Sequence, residues 1–403
     1  MAKTTARNRS DPKKSAPFLP DAGEARRIHT ALLDWYRRGH RDLPWRKTSD
    51  PYAIWVSEIM LQQTRVDTVK ERFQQFMARF PTVTALAQAP LEDVLSLWSG
   101  LGYYARARNL HAAAHELVAR YGGRVPDDPA AVRELPGIGP YTAGAILSIA
   151  FGKRAAILDG NVIRVLARLF AIEEFPAGEG ATRRRYWALS ESLLPPLAPA
   201  AGENDVGDFN QALMELGATI CSPQRPVCLV CPISELCQAR KSGDAARYPL
   251  RQAARPVPVV HALTLVLSRP GGEVLLLRRP PSGLWGGLWE PPTLTLNPDE
   301  NERSGLLRLG REVLSLSPAL PLEKLLAQAE PLPPFVHVLT HREMRFTPYK
   351  LHLATAPPPA FHLSGYEASR WIFAGEPLAL GIASWVSALL ARVAPTAAQT
   401  ASG

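Results

Sequence analysis

The sequence predicts a multidomain protein, with an all-α first part followed by a compact α+β domain, and three observations carry that prediction. From about residue 23 to 240, apolar residues recur at three- and four-residue spacings, with Pro or Gly at the breaks. Residues 247–258 are rich in proline and arginine without apolar periodicity, so they read as a linker. After them come short alternating runs, Val260 to Ser268 and Glu273 to Arg279, joined at Pro270-Gly271-Gly272. Phe335 to Ala354 reads as two further strands with a turn near Thr347-Pro348, and helical patterns cover 301–316 and 376–394. The expected divisions are a helical domain over 23–246 and an α+β domain over 259–394. Residues 1–22, which are basic, and 395–403 read as disordered tails.

Composition narrows the function classes. The chain has 403 residues, 46% hydrophobic and 21% charged, with no run near the roughly 20 apolar residues of a membrane span. Its first residues lack the apolar core of a secretion signal. The expectation is a soluble, cytoplasmic monomer with no membrane partner. The formal net charge is +9, and it is unevenly placed: residues 1–255 hold 34 basic and 26 acidic groups, the remainder 12 and 11. A basic first part suits a polyanionic partner.

All four cysteines fall within seventeen residues, as Cys221, Cys228, Cys231 and Cys237. Clustering in an unexported chain argues for a bound metal rather than disulfides. Zinc sites usually use two C-x2-C pairs, whereas this box has one such pair flanked by longer arms. The C-x6-C-x2-C-x5-C spacing therefore favours a [4Fe-4S] cluster, with zinc as the alternative. Arg225 on the long arm is placed to reach a phosphate.

Two acids stand out by their surroundings. Asp50-Pro51 is a helix start, and the run it opens, Tyr52 to Leu61, is apolar except for Glu58. Burial would raise the pKa of Glu58 and keep it protonated near neutrality, as a general acid must be. Asp159, in Ile157-Leu158-Asp159-Gly160-Asn161, reads as the N-cap of the next helix, where the positive helix end would hold it ionised. One neutral and one ionised carboxyl is the division of labour that cleaves a glycosidic bond. Between them, Leu135-Pro136-Gly137-Ile138-Gly139-Pro140 reads as a tight turn before a helix, with Gly137 and Gly139 turning bare amides toward a phosphate.

These motifs, with DLPWR (42–46), WVSEIMLQQTRV (55–66), GLGYYARARNL (100–110), LPGIGPYTAG (135–144) and ILDGNVIRV (157–165), resemble the MutY family of adenine DNA glycosylases. That family belongs to the helix-hairpin-helix, or endonuclease III, superfamily, and the resemblance spans about residues 25–390. It implies base excision repair on double-stranded DNA, with adenine removed opposite 8-oxoguanine or guanine. It also implies Glu58 as the acid that protonates adenine and Asp159 as the support of the sugar cation. Gln63 and Thr64 would contact the opposing base, Leu101 and Tyr103 would wedge the stack, and Arg46 would line the adenine pocket. Lyase relatives carry a lysine two residues after the second hairpin glycine; Tyr141 stands there, which predicts a monofunctional enzyme that uses water.

The C-terminal domain resembles the Nudix-like domain of the same family. Arg303, Ser315 and Leu316 occupy positions where a working Nudix hydrolase carries metal-binding glutamates, so pyrophosphate hydrolysis is rejected. The family's Phe-Ser-His loop, which reads 8-oxoguanine, corresponds to Leu339-Thr340-His341, with Thr340 and His341 keeping the hydroxyl and imidazole. Two other readings fit the motifs: a glycosylase for oxidised pyrimidines, and a non-enzymatic iron-sulfur DNA-binding redox module.

Overall fold

The computed structural model describes residues 19–394 apart from 175, 177, 179, 198–203, 251–255, 315–321, 354–364 and 375–378. Both expected tails lie almost wholly outside these residues, as do Ser315 and Leu316 and part of the linker. Chain contacts group the protein into two compact units, Met1–Glu58 with Pro126–Ala253, and Ile59–Val125 with Ala254–Gly403. One boundary of this grouping, between Ala253 and Ala254, falls within the expected linker, and the segment Ile59–Val125 groups with the C-terminal half.

The helices run in chain order as α1 (Ala22–Gly39), α2 (Pro51–Leu61), α3 (Val66–Arg79), α4 (Val83–Gln88), α5 (Leu91–Leu97) and α6 (Ala105–Tyr121). They continue as α7 (Pro129–Glu134), α8 (Pro140–Phe151), α9 (Gly160–Leu169), α10 (Ala181–Ser192), α11 (Asp205–Thr219) and α12 (Gln238–Lys241). Among the described residues, no helix is long and apolar enough to cross a membrane. The first unit's core gathers one face each of α1, α9, α10 and α11, with Ile28, Leu32, Val165, Leu166, Tyr186, Leu213 and Leu216 buried together. Tyr248 joins this core, and its carbonyl accepts from Arg168 Nε at 3.1 Å. The start of the expected linker is thus docked, because an aromatic ring gains more by burial than by hanging in water.

In the second unit, eight described strands form one mixed sheet: β1 (Val259–Ser268), β2 (Glu273–Arg278), β3 (Trp289–Glu290), β4 (Thr293–Thr295), β5 (Glu330–Pro331), β6 (Phe335–Leu339), β7 (Arg342–His352) and β8 (Ala368–Phe373). β1 pairs in parallel with β7, and the other pairings are antiparallel. The β1–β2 turn falls at Gly271 and Gly272 as expected, both with left-handed φ. The expected turn at Thr347-Pro348 is absent. Leu339 pairs with Arg342, so the chain turns at Thr340-His341, and β7 runs straight through Pro348. Pro348 sits where the antiparallel neighbour of β7 changes from β6 to β5, a position at which a missing donor is tolerated.

Three helices complete this unit: α13 (Glu302–Arg308), which runs into a π turn over Leu309–Val313, α14 (Leu322–Leu326) and α15 (Ser384–Val393). The last helix starts at Ser384 rather than 376. Leucines of β1 and β2 pack against Leu306, Leu309, Val313 and Leu314.

Candidate active site

The α2 helix is built as its sequence suggests. Asp50 Oδ1 accepts from the Tyr52 amide at 3.0 Å, Pro51 occupies the first helical position, and Tyr52 to Met60 are all buried. Glu58 is 4% exposed. Burial is the main cause lifting its pKa, and the charge of Asp159 adds to it. A hydrogen bond from Tyr141 and the charge of Arg46 oppose, and the result is about 7.

Tyr141 reaches Glu58 from the helix-hairpin-helix. Its hydroxyl donates to Glu58 Oε2 at 2.6 Å and lies 3.1 Å from Met214 Sδ. The hairpin joins α7 to α8 through Leu135–Gly139, with Pro140 at the first helical position. Only Gly137 needs its glycine for conformation, at φ +77°; Gly139 has φ −87° and open space where a side chain would project. The close approach belongs to Gly144, where a Cβ would fall 2.1 Å from the Ala156 carbonyl oxygen. That contact presses α8 onto the segment leading to Asp159, and Asn210 secures it by donating to the Ala155 carbonyl and Ser148 Oγ, each at 2.8 Å.

Asp159 is the N-cap of α9, as expected. Its Oδ1 accepts from the Val162 amide at 2.7 Å and its Oδ2 from Asn161 Nδ2 at 2.9 Å. Burial is the largest influence on its carboxyl and raises its pKa, while those cap bonds and the charge of Arg164 oppose the rise. The first unit therefore brings the buried Glu58 and the half-buried Tyr141 and Asp159 into one group whose charges act on one another.

Arg46 is not a surface ion pair. Its side chain is 8% exposed, it donates to Glu215 Oε2 at 2.8 Å, and its guanidinium lies 5.4 Å from the Tyr36 ring centroid. Arg41 grips the same carboxylate through Nε at 2.8 Å and a terminal nitrogen at 2.6 Å. Burial pushes the Glu215 pKa up, but the two arginines outweigh it and hold it at about 2. Glu215 is a site residue absent from the sequence-based expectations, and it carries the same signal as Glu58, a lone acid amid the apolar Leu213, Met214, Leu216 and Gly217.

The four cysteines line one small cavity together with Arg168 and Arg240. Among the described residues, no group of three or more histidine, cysteine or acidic side chains is placed to hold a single metal ion. Burial and mutual repulsion push the Cys231 thiol up to about 12 and raise Cys237, so thiolates there call for a cationic centre. Arg168, 2% exposed, donates to Cys221 Sγ at 3.3 Å and to the carbonyls of Ser222 and Pro223. A ring of four thiols around a cavity, braced by a buried guanidinium, fits an iron-sulfur cluster. Arg164 links this loop to the cap of α9, donating to the Cys221 carbonyl and to Asn161 Oδ1, each at 2.7 Å. Arg225 is exposed.

The second unit holds the remaining expected contacts. Arg106 donates to the carbonyls of Ile59, Met60 and Gln62, to those of Leu101 and Gly102, and to Thr64 Oγ1. It so ties the turn carrying Gln63 and Thr64 to the loop carrying Leu101 and Tyr103. Nothing in the sequence separated it from Arg108, its neighbour in the same motif. Leu101 is only 4% exposed, so of the two expected wedges Tyr103, at 46%, alone stands out. Thr340 and His341 are exposed on their hairpin turn, and the Thr340 and Tyr103 hydroxyls share a hydrogen bond of 2.6 Å. Gln63, Tyr103, Thr340 and His341 line one cleft of about 500 Å³.

Comparison with known proteins agrees with these two assemblies. Residues 56–191 match the HhH-GPD superfamily of base excision DNA repair proteins, and residues 263–392 match the NUDIX domain. The chain is 37% identical to the adenine DNA glycosylase of Rattus norvegicus, over 88% of this chain and 75% of that protein. It is 37% identical to the Homo sapiens adenine DNA glycosylase, over 86% and 72% respectively. The Arabidopsis thaliana enzyme is 38% identical over 79% of this chain and 56% of its own length. With the helix-hairpin-helix site on the first unit and the Nudix-like sheet in the second, this chain belongs to the adenine DNA glycosylase (MutY) family.

Proposed function

We propose that the protein is a monofunctional adenine DNA glycosylase that removes adenine mispaired with 8-oxoguanine, or with guanine, during base excision repair, working as a monomer in the cytoplasm. The observation that carries this reading is the 2.6 Å bond from Tyr141 to a Glu58 whose pKa is lifted to about 7 beside Asp159. In its neutral form Glu58 carries a transferable carboxyl proton. That proton passes to adenine as the bond from N9 to the sugar carbon breaks, and the base leaves neutral. The sugar is left as an oxocarbenium-like cation, which Asp159 in its ionised form stabilises. Water attacks the sugar carbon and releases a proton, leaving an abasic site. Tyr141 stands where lyases place an amine and offers no Schiff base, so the strand stays intact.

Thr340 and His341, exposed beside Gln63 and Tyr103, supply a hydroxyl, an imidazole and an amide for reading the opposite base. Gly137 and Gly139 present the helix N-terminus to the backbone. Cys221, Cys228, Cys231 and Cys237 would hold a [4Fe-4S] cluster, which supplies iron–thiolate bonds that staple the loop.

The test is incubation with an 8-oxoguanine:adenine duplex followed by hot alkali. Cutting at the adenine is expected, and its absence would overturn the reading; cutting without alkali would contradict monofunctionality. Faster processing of a thymine-glycol duplex would favour a pyrimidine glycosylase instead. The purified protein should show the broad visible absorbance of iron–thiolate bonds, whereas a colourless protein with one bound zinc would remove the cluster.

A further inference from the structure

We infer that Trp285 is a specificity-determining residue, whose indole gives the base opposite the target adenine a stacking face. The inference rests on the proposed reading of that base by the Thr340-His341 turn. Among the described residues, four that are not glycine have left-handed φ, and three of them, Gln63, Tyr103 and Trp285, line the same cleft. Trp285, at φ +55°, pairs that conformation with a bulky side chain, for which it is unfavourable. Such strain persists only where surrounding structure enforces it, and it gathers at functional sites.

The enforcement is visible. Gly283 and Gly287 on either side are left-handed, and a Cβ on Gly286 would fall 2.5 Å from the Pro281 carbonyl oxygen. The Leu288 amide donates to the Trp285 carbonyl at 3.0 Å and the Gly287 amide to that of Pro280 at 2.9 Å, closing the loop on itself. Arg108 then donates to the Gly286 carbonyl at 2.7 Å, fastening the loop to α6, three residues beyond the start of the helix that follows Tyr103 and Tyr104.

The indole is backed by other rings. Its centroid lies 5.6 Å from Trp385, 6.0 Å from His337 and 6.3 Å from Phe346. The side chain is only partly buried, and it forms cleft wall beside Tyr103, Thr340 and His341. Leu339 of the reading turn offers aliphatic surface alone. A base that Tyr103 unstacks on one side loses contact with its neighbour, and an indole face offsets that loss. So held, the base edge would lie against the Thr340 hydroxyl and the His341 imidazole, where the added carbonyl and N–H of 8-oxoguanine can be told from guanine.

The measurement is the ratio of single-turnover excision rates on 8-oxoguanine:adenine and guanine:adenine duplexes, for the full chain and for Trp285→Phe and Trp285→Leu. Phenylalanine keeps a ring and leucine keeps only apolar volume. The ratio should hold within about twofold for Trp285→Phe and fall about tenfold for Trp285→Leu, the scale of one lost stacking contact. An unchanged ratio in Trp285→Leu, or equal losses in both variants, would overturn the inference. Failure of the parent reading looks different: the unaltered protein would itself show no preference between the two duplexes.

Discussion

The Tyr141 hydroxyl and the Glu58 carboxyl stand 2.6 Å apart, joining the first turn of α8 to the buried middle of α2. The bond opposes what burial does to Glu58. Burial lifts the carboxyl above the ordinary carboxylate range, the tyrosine opposes that lift, and with the charges of Asp159 and Arg46 the net is about 7.

Excision should therefore fall as pH rises through about 7, because only the protonated acid can deliver a proton to adenine. In Tyr141→Phe the restraining bond is gone, so the alkaline limb should move to higher pH. Single-turnover rates measured across that limb check both statements, and a limb that stays in place would separate Tyr141 from Glu58.

Stability should carry the same signature. The folded protein holds the Glu58 proton more tightly than the unfolded chain, whose carboxyl titrates near 4.3. That contribution is complete below about pH 4 and is lost as pH rises through about 7. Glu58→Gln should be inactive, yet more stable than the unaltered protein at alkaline pH, on the order of 3 kcal/mol, with little difference in acid. Urea unfolding at the two pH values reads the difference.

Asp159→Asn is expected to separate chemistry from architecture. Asparagine still accepts from the Val162 amide, so the α9 cap should persist within roughly 0.5 kcal/mol. The negative charge beside the sugar cation is lost, and excision should drop by about three orders of magnitude while duplex binding persists. Gel-shift titration and single-turnover assay on one preparation decide it; appreciable residual turnover would count against the role.

Breaking the Arg46–Glu215 pair should be costly. Glu215→Ala leaves the buried Arg46 guanidinium without its carboxylate, a loss of about 3–5 kcal/mol. In the unaltered protein the Glu215 contribution is present above the usual carboxylate range and disappears as pH falls through about 2. Denaturation midpoints at neutral and acid pH should show the variant's deficit shrinking in acid.

Much of the candidate site is legible in the sequence because each member violates its surroundings: Glu58 is a charge in an apolar helix, and Asp159 is an acid poised at a helix start. Long-range partners are not, since neither Arg41 nor Arg46 has a local pattern that points to Glu215 in α11. The β6–β7 turn is hidden in the sequence for a different reason. Pro348 looks like a chain break only if both sides of its strand need a continuous partner, and here the partner changes beside it. The resemblance puts Leu101 at a wedge position, and burial of its side chain, with its carbonyl accepting from Arg106, is a three-dimensional fact that its motif does not carry. The raised Asp159 pKa required three-dimensional burial, which cap chemistry alone does not reveal.

Gly144 turns the spacing of the reaction into a matter of one hydrogen atom. Where its Cβ would stand, the Ala156 oxygen is 2.1 Å away, and three residues past Ala156 the chain presents Asp159. A methyl group at 144 would act as a shim, pushing the helix that bears Tyr141 off the segment that bears the aspartate. The reacting groups would all remain, set to the wrong gauge, and a displacement near 1 Å can cost about a hundredfold in rate. The tolerance of this enzyme is thus fixed by a residue that has no side chain and carries no charge.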